Sequence, residues 1–339
     1  MSEKKQFIFN FISSIAVFIS NLVINFFLTP YVLNKLGTEA YGFIGLVNSI
    51  VSYISVVTVA LNSLAGRYIT LSYHKGDMIK AKEYMTSVFL ANVVLAIIVF
   101  ISSIYVTCNI TQLINVPGYL ISDVKITMIM AFANICFSLL SVVFSVAAFI
   151  KNKLYYNSFA SIISVIIRII IICGGFFLFV PHIWYYTFSG LLSAIVLLYL
   201  QRFYTKKLTP ELKIDFKYFR IYKIFEIIKS GVWISLESLN KILQTGLDLL
   251  IANLFISTVA TGLLSIAKTI PNILLQIPAL VSGIFNPKLA KLYAENKSEQ
   301  LIERFKFSVR FLTFVMCVPL VGFLIFGMDF FKLDRKSVV

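Results

Sequence analysis

Charge is scarce in this chain. Asp, Glu, Lys and Arg together make up 13% of its 339 residues, while hydrophobic residues reach 59%. A soluble domain carries about 25% charged residues, so soluble globular classes are excluded and the chain reads as an integral membrane protein. Histidine is scarcer still. His74 and His182, both in predicted loops, leave a histidine-based catalytic centre with little material. Cys108, Cys136, Cys173 and Cys317 lie far apart, with no Cys-x-x-Cys pair and no histidine cluster beside them, which excludes a disulfide framework and a metal site. Acidic residues number 15 against 30 basic ones, a net charge of +15. The basic excess falls in short stretches between apolar runs, where the positive-inside rule accounts for it without a nucleic-acid partner. No residue is assigned a catalytic or metal-ligating role, and no cofactor is expected.

Apolar runs long enough to cross a bilayer are what the chain has in quantity. They fall near 7–28, 41–64, 85–107, 127–150, 158–180, 184–200, 231–255, 260–285 and 307–326, which predicts an all-α polytopic protein of about nine transmembrane helices. The first run is too long for a signal-peptide core and lacks a small-residue cleavage site, so it reads as an uncleaved span. Lys4 and Lys5, Lys75 to Lys82, Lys151 and Lys153, the segment 202–229, and Lys288 to Lys306 alternate with connections poor in basic residues near Pro117, Pro181 and Ser257. This alternation places the N-terminus and the basic loops in the cytoplasm of a multi-pass protein. Anionic lipid headgroups are expected to gather at the longest basic segment. Pro30 is expected to end the first helix, Gly37 to permit a tight turn, and Pro271 and Pro278 to kink the eighth span. Lys332, Arg335 and Lys336 break the charge alternation.

An offset of 220 residues sets Tyr41-Gly42 on Thr261-Gly262, Ile50 on Ile270, Tyr73 on Tyr293 and Glu83 on Glu303. Spans one to three then fall on spans seven to nine with loops of equal length. Internal duplication is a transporter habit, with the substrate site between the halves near the bilayer midplane. The predicted organisation is a complete six-helix bundle at 1–201, a basic cytoplasmic linker at 202–229, the first three helices of a second bundle at 230–327, and an atypical tail at 328–339. The second copy reads as truncated at its C-terminal end.

The seventh run is the polar one. Glu237, Lys241, Gln244 and Asp248 recur as i, i+4, i+7 and i+11, one stripe of a helix, and Asn240 lies beside them. A charged side chain at the bilayer centre costs roughly 2.5–3.5 kcal/mol on insertion scales, so the stripe must face a water-filled cavity or polar partners. A self-neutralising Glu237–Lys241 pair in a structural network is the competing reading. Asn10, Ser14, Asn21 and Asn25 fall near one face of the first span, as a second polar wall or as interhelical glue. A membrane glycosyltransferase or polymerase would need an extramembrane domain with paired carboxylates, and no loop is long enough to hold one.

The stretch Thr29-Pro30-Tyr31-Val32-Leu33-Asn34-Lys35-Leu36-Gly37-Thr38-Glu39-Ala40-Tyr41-Gly42 resembles the opening of bacterial polysaccharide-repeat flippases. These belong to the multidrug/oligosaccharidyl-lipid/polysaccharide exporter superfamily, and the resemblance covers all nine spans. It implies two six-helix bundles and a non-enzymatic transporter in the bacterial cytoplasmic membrane. The implied substrate is a polyprenyl-pyrophosphate-linked oligosaccharide moved from the inner to the outer leaflet by alternating access, with polysaccharide-assembly enzymes as partners. A pyrophosphate crossing hydrocarbon needs cations at depth, and Arg168, Lys241 and Lys268 are the candidates, with Gln244, Asn240, Asn21 and Asn25 as further substrate contacts. Glu237 and Asp248 either couple transport to an ion or hold Lys241 and Lys268 in place. The alternatives are a multidrug or organic-cation antiporter of the same superfamily, which should concentrate acids at depth, and a non-functional fragment.

Overall fold

The computed structural model describes the backbone of residues 3–336, with all side chains there except those of residues 3, 4, 25, 26, 54, 57, 244, 245, 269, 270, 273, 276, 280 and 326–336. Among the described residues the secondary structure is helical throughout, without a strand. α1 (Glu3–Val23) runs through a π-helical turn at Ile24–Leu28 into α2 (Thr29–Leu36). α3 (Thr38–His74), α4 (Met78–Cys108), the short α5 (Ile110–Leu113), α6 (Ile121–Ile150), α7 (Tyr155–Leu178) and α8 (Trp184–Leu208) follow. After a connection come α9 (Ile221–Ile251), a second π-helical turn at Ala252–Ile256, α10 (Thr258–Ala267), α11 (Thr269–Leu274), α12 (Gln276–Ala294) and α13 (Ser298–Lys336).

Seven helical stretches are long and apolar enough to cross a membrane, and α3 makes an eighth if its two bent halves count as one. The chain is therefore an all-α polytopic membrane protein. Isoleucines and phenylalanines such as Ile97, Ile101, Phe177 and Phe314 stand exposed on the helix surfaces, as lipid contact requires. His74 is the last residue of α3 rather than part of a loop, and its Nε2 lies 3.2 Å from the Ile150 carbonyl. His182 ties the α7–α8 connection to Asp123 at 3.0 Å.

Of the expectations at prolines, one fails and one holds. Pro30 does not end the first helix; it sits in the first turn of α2 directly after the π-helical turn, where a missing N–H is tolerated. The chain turns instead at Gly37, whose φ of 80° suits glycine. The eighth predicted span is broken, with helices ending at Ala267 and Leu274. These lie four residues before Pro271 and Pro278, where each ring collides with the i−4 carbonyl.

The 220-residue offset recurs in the backbone. α3 starts at Thr38 and α10 at Thr258; α3 ends at His74 and α12 at Ala294; α4 starts at Met78 and α13 at Ser298. The left-handed residues between them correspond too, Gly76 at φ 79° and Asn296 at φ 56°. α3 bends by 68° between Tyr53 and Thr58, an interval that the offset sets on 273–278, which ends at Pro278, yet α3 contains no proline. A run of hydroxyl back-bonds spans the bend. Ser52, Ser55 and Thr58 donate to the carbonyls of Asn48, Ser52 and Ser55 at 2.7, 2.7 and 2.6 Å, a back-bonding that bends helices.

Two apolar clusters hold the first copy, one on each side of that bend. One joins Phe43, Leu46, Met128, Phe132, Ile172 and Phe176; the other joins Leu61, Ile69, Tyr84, Met85, Val143 and Ile227. Between them Asn62 and Asn92 exchange amide hydrogen bonds of 3.0 and 2.8 Å. The connection after α8 packs back on the second cluster through Leu212, with the Arg220 N–H donating to Ser87 Oγ at 2.9 Å. On α1, Asn10 and Gln6 donate to the Asn152 carbonyl at 2.7 and 2.9 Å, interhelical glue at the α6–α7 turn.

The copies meet where glycine permits it. A Cβ on Gly42 would lie 2.9 Å from Gly262 Cα, and one on Gly262 would lie 2.4 Å from the Thr38 carbonyl oxygen. A Cβ on Gly45 would overlap Ser265, and one on Gly231 would lie 1.9 Å from the Ala60 oxygen. Small residues allow this approach in a bilayer, where packing rather than water expulsion drives helix association.

The hydroxyl account of the bend is tested by Ser52→Ala, Ser55→Ala and Thr58→Ala combined. Spin labels at Ile50 and Ser72 should move apart as α3 straightens. An unchanged distance distribution would refute the hydroxyl cause.

Candidate functional site

Arg168 lies near the middle of α7, between the buried Ser164 and Ile172 one turn to either side, on the inward face of a helix whose Ile166, Ile170 and Phe177 are exposed. Its guanidinium carbon stands 4.6 Å from the ring centroid of Tyr186 on α8, a cation–π arrangement. Its Nε is buried with no hydrogen-bond partner, a state that costs about 1–3 kcal/mol when nothing occupies the site. Among the described residues no carboxylate pairs with it.

The guanidinium opens onto a cavity of about 340 Å³. Asn48 and Val51 of α3, Ala131, Asn134 and Ile135 of α6, and Tyr186, Thr187 and Gly190 of α8 complete the wall. The Asn134 amide is set by its neighbours: Ser138 Oγ donates to its Oδ1 at 3.3 Å, and its Nδ2 lies 2.8 Å from where a Cβ on residue 190 would stand. Glycine at 190 keeps that corner open. Among the described residues the lining thus holds one cation, two amides, two hydroxyls and no acid. It lies among helices of the first copy, whereas the duplication pointed to the interface between copies.

The remaining candidates fall elsewhere. Lys268, at the C-cap of α10, makes an ion pair with Asp248 of α9. Glu237, Asn240 and Lys241 are exposed on α9, and Gln244 is helical with its side chain outside the described residues. α9 contacts α3 through Gly231, Gly246 and Leu249, and Leu236, Leu243 and Leu247 are exposed. At 100° per residue the polar stripe occupies a third face, about 120° from either. Asn21 is half-buried on α1, and Asn25 lies in the first π-helical turn with its side chain outside the described residues. Among those whose side chains are described, none lines the Arg168 cavity. Asn48, Asn134, Tyr186 and Thr187 were missed by a reading that weighed formal charge. The available signal was uncharged polar residues deep within apolar runs.

No family model matches the chain. In fold it is similar to MATE transporters of the MOP superfamily. An outward-facing multidrug resistance MATE family transporter of that superfamily superposes with a TM-score of 0.75 at 14% identity, covering 100% of this chain and 77% of the other. The MATE multidrug transporter DinF-BH gives 0.77 at 11% identity, covering 98% and 74%. In sequence it is similar to the uncharacterized membrane protein EpsK of Bacillus subtilis (strain 168), 26% identical over 314 residues, which are 93% of this chain and 62% of the relative. The chain therefore spans less than two thirds of that relative's length.

The Asp248–Lys268 pair is tested by a double-mutant cycle read by thermal unfolding in detergent. The double variant Asp248→Ala with Lys268→Ala should destabilise less than the sum of the two single variants, with a coupling on the order of 1 kcal/mol. Strict additivity would show that the pair is not energetically linked.

Proposed function

We propose that the protein moves a polyprenyl-pyrophosphate-linked oligosaccharide from the inner to the outer leaflet of the bacterial cytoplasmic membrane by alternating access, with its N-terminus in the cytoplasm. The observation that carries this is a cavity beside the middle of α7 whose described lining holds one cation without a carboxylate partner and no acid, set in a MATE-type fold. A guanidinium kept at depth without an acid partner favours an anionic cargo. The motif at 29–42 and the 220-residue duplication support the same reading. The copies at 1–201 and 230–327, joined by the basic segment 202–229, are the bodies that move, and the segment 328–339 belongs to neither. Arg168, Lys241 and Lys268 form the cationic path, with Asn21, Asn25, Asn240 and Gln244 as neutral contacts and Glu237 and Asp248 balancing the lysines. Polysaccharide-assembly enzymes supply the cargo and consume it.

A second reading, export of organic cations, rests on the multidrug transporters whose fold the chain shares. It predicts carboxylates around the cavity, and the described lining contains none.

Deleting the gene should raise lipid-linked oligosaccharide on the cytoplasmic side, scored with an enzyme that reaches only the outer leaflet, and Lys241→Ala should reproduce the defect with membrane insertion intact. Unchanged sidedness with raised sensitivity to cationic dyes would favour the second reading. Normal flipping by Lys241→Ala would remove that lysine from the path.

A further inference from the structure

The geometry points to the Arg168 cavity as a subsite for a carboxylate-bearing sugar of the cargo, rather than for its pyrophosphate. This rests on the flippase reading for the presence of a sugar at membrane depth. Three features of the cavity carry it.

The first is the charge count. A pyrophosphate diester carries two negative charges, and the lining offers a single cation; a uronate carries one. The second is the shape of the donor. Arg168 lines the cavity with its guanidinium carbon 4.6 Å from the Tyr186 ring centroid, and the planar paired N–H donors of a guanidinium fit a carboxylate in bidentate fashion. The third is the rest of the wall. Asn48, Asn134 and Thr187 supply amide and hydroxyl groups that donate to and accept from ring hydroxyls. The volume of about 340 Å³ lies at the low end of small-molecule pockets, roughly 300–1,000 Å³. That suits one or two sugar rings and leaves the lipid carrier and its diphosphate outside.

In this arrangement Arg168 binds the carboxylate and sets which repeat units are accepted, and Asn134 orients the ring. The lysines of the second copy lie outside this cavity, and the diphosphate is assigned to them.

The test uses the full chain in lipid nanodiscs and calorimetric titration with sodium glucuronate, its methyl ester, glucose and inorganic pyrophosphate. Glucuronate should bind at least tenfold more tightly than the ester, glucose or pyrophosphate. Arg168→Gln should lose that preference, Arg168→Lys should keep part of it, and Asn134→Ala should weaken glucuronate several-fold while preserving its preference over the ester. Absence of glucuronate binding, equal binding of acid and ester, or tighter Arg168-dependent binding of pyrophosphate would each overturn the assignment. The acid–ester comparison is made on the unaltered protein, so it decides even if an Arg168 variant fails to fold. It involves no transport step: glucuronate selectivity in a protein that moves no lipid would refute the flippase reading alone, and flipping without selectivity would refute the subsite alone.

Discussion

The close backbone approach between α3 and the second copy is the constraint on which the rest depends. Gly42 against Gly262 and Gly45 against Ser265 pair positions that are 220 residues apart, so equivalent points of the two copies touch each other. Each contact leaves no room for an ordinary side chain. Because positions 45, 49 and 53 of α3 are spent on the second copy, Asn48 and Val51 are turned toward α6, α7 and α8. The inter-copy seam therefore helps to aim the cavity wall. In a bilayer such contacts carry unusual weight, since lipid tails are as apolar as leucine and only close packing distinguishes protein from solvent.

The two copies reach the same bend by different chemistry. In the second, Pro271 and Pro278 interrupt the ladder at Ala267 and Leu274; in the first, a ladder of serine and threonine hydroxyls pulls on the carbonyls of the preceding turn. The first cause was legible in the sequence, because proline removes a donor wherever it stands. The second was not, since a serine within an apolar run reads equally as interhelical glue. Eight of the nine apolar runs correspond to spans of the structure, and the offset that aligned Tyr73 with Tyr293 also predicts where helices start and stop. What hydropathy missed was the π-helical turn ahead of Pro30, which lets the helix continue where a stop was expected.

The candidate site was legible where charge announced it. Arg168 stood out because an unpaired guanidinium at depth is costly, and the stripe on α9 because its spacing is helical. Their separation was not legible. Formal charge alone grouped Arg168 with Lys241 and Lys268, whereas Arg168 faces a cavity in the first copy and Lys268 turns to Asp248 in the second. The partners of Arg168 are uncharged, and nothing in the pattern of Asn48, Asn134 and Tyr186 marks them as neighbours until α3, α6 and α8 pack together. A wall of amides and one aromatic face makes a lone cation tolerable in the membrane without neutralising it.

The most direct measurement is translocation in vesicles reconstituted with the purified chain, using a fluorescent diphosphate-linked oligosaccharide and a membrane-impermeant quencher. The account predicts protein-dependent exchange between leaflets that Arg168→Gln abolishes while the vesicles retain the same amount of inserted protein. Exchange no faster than in protein-free vesicles, or exchange indifferent to Arg168, would contradict it.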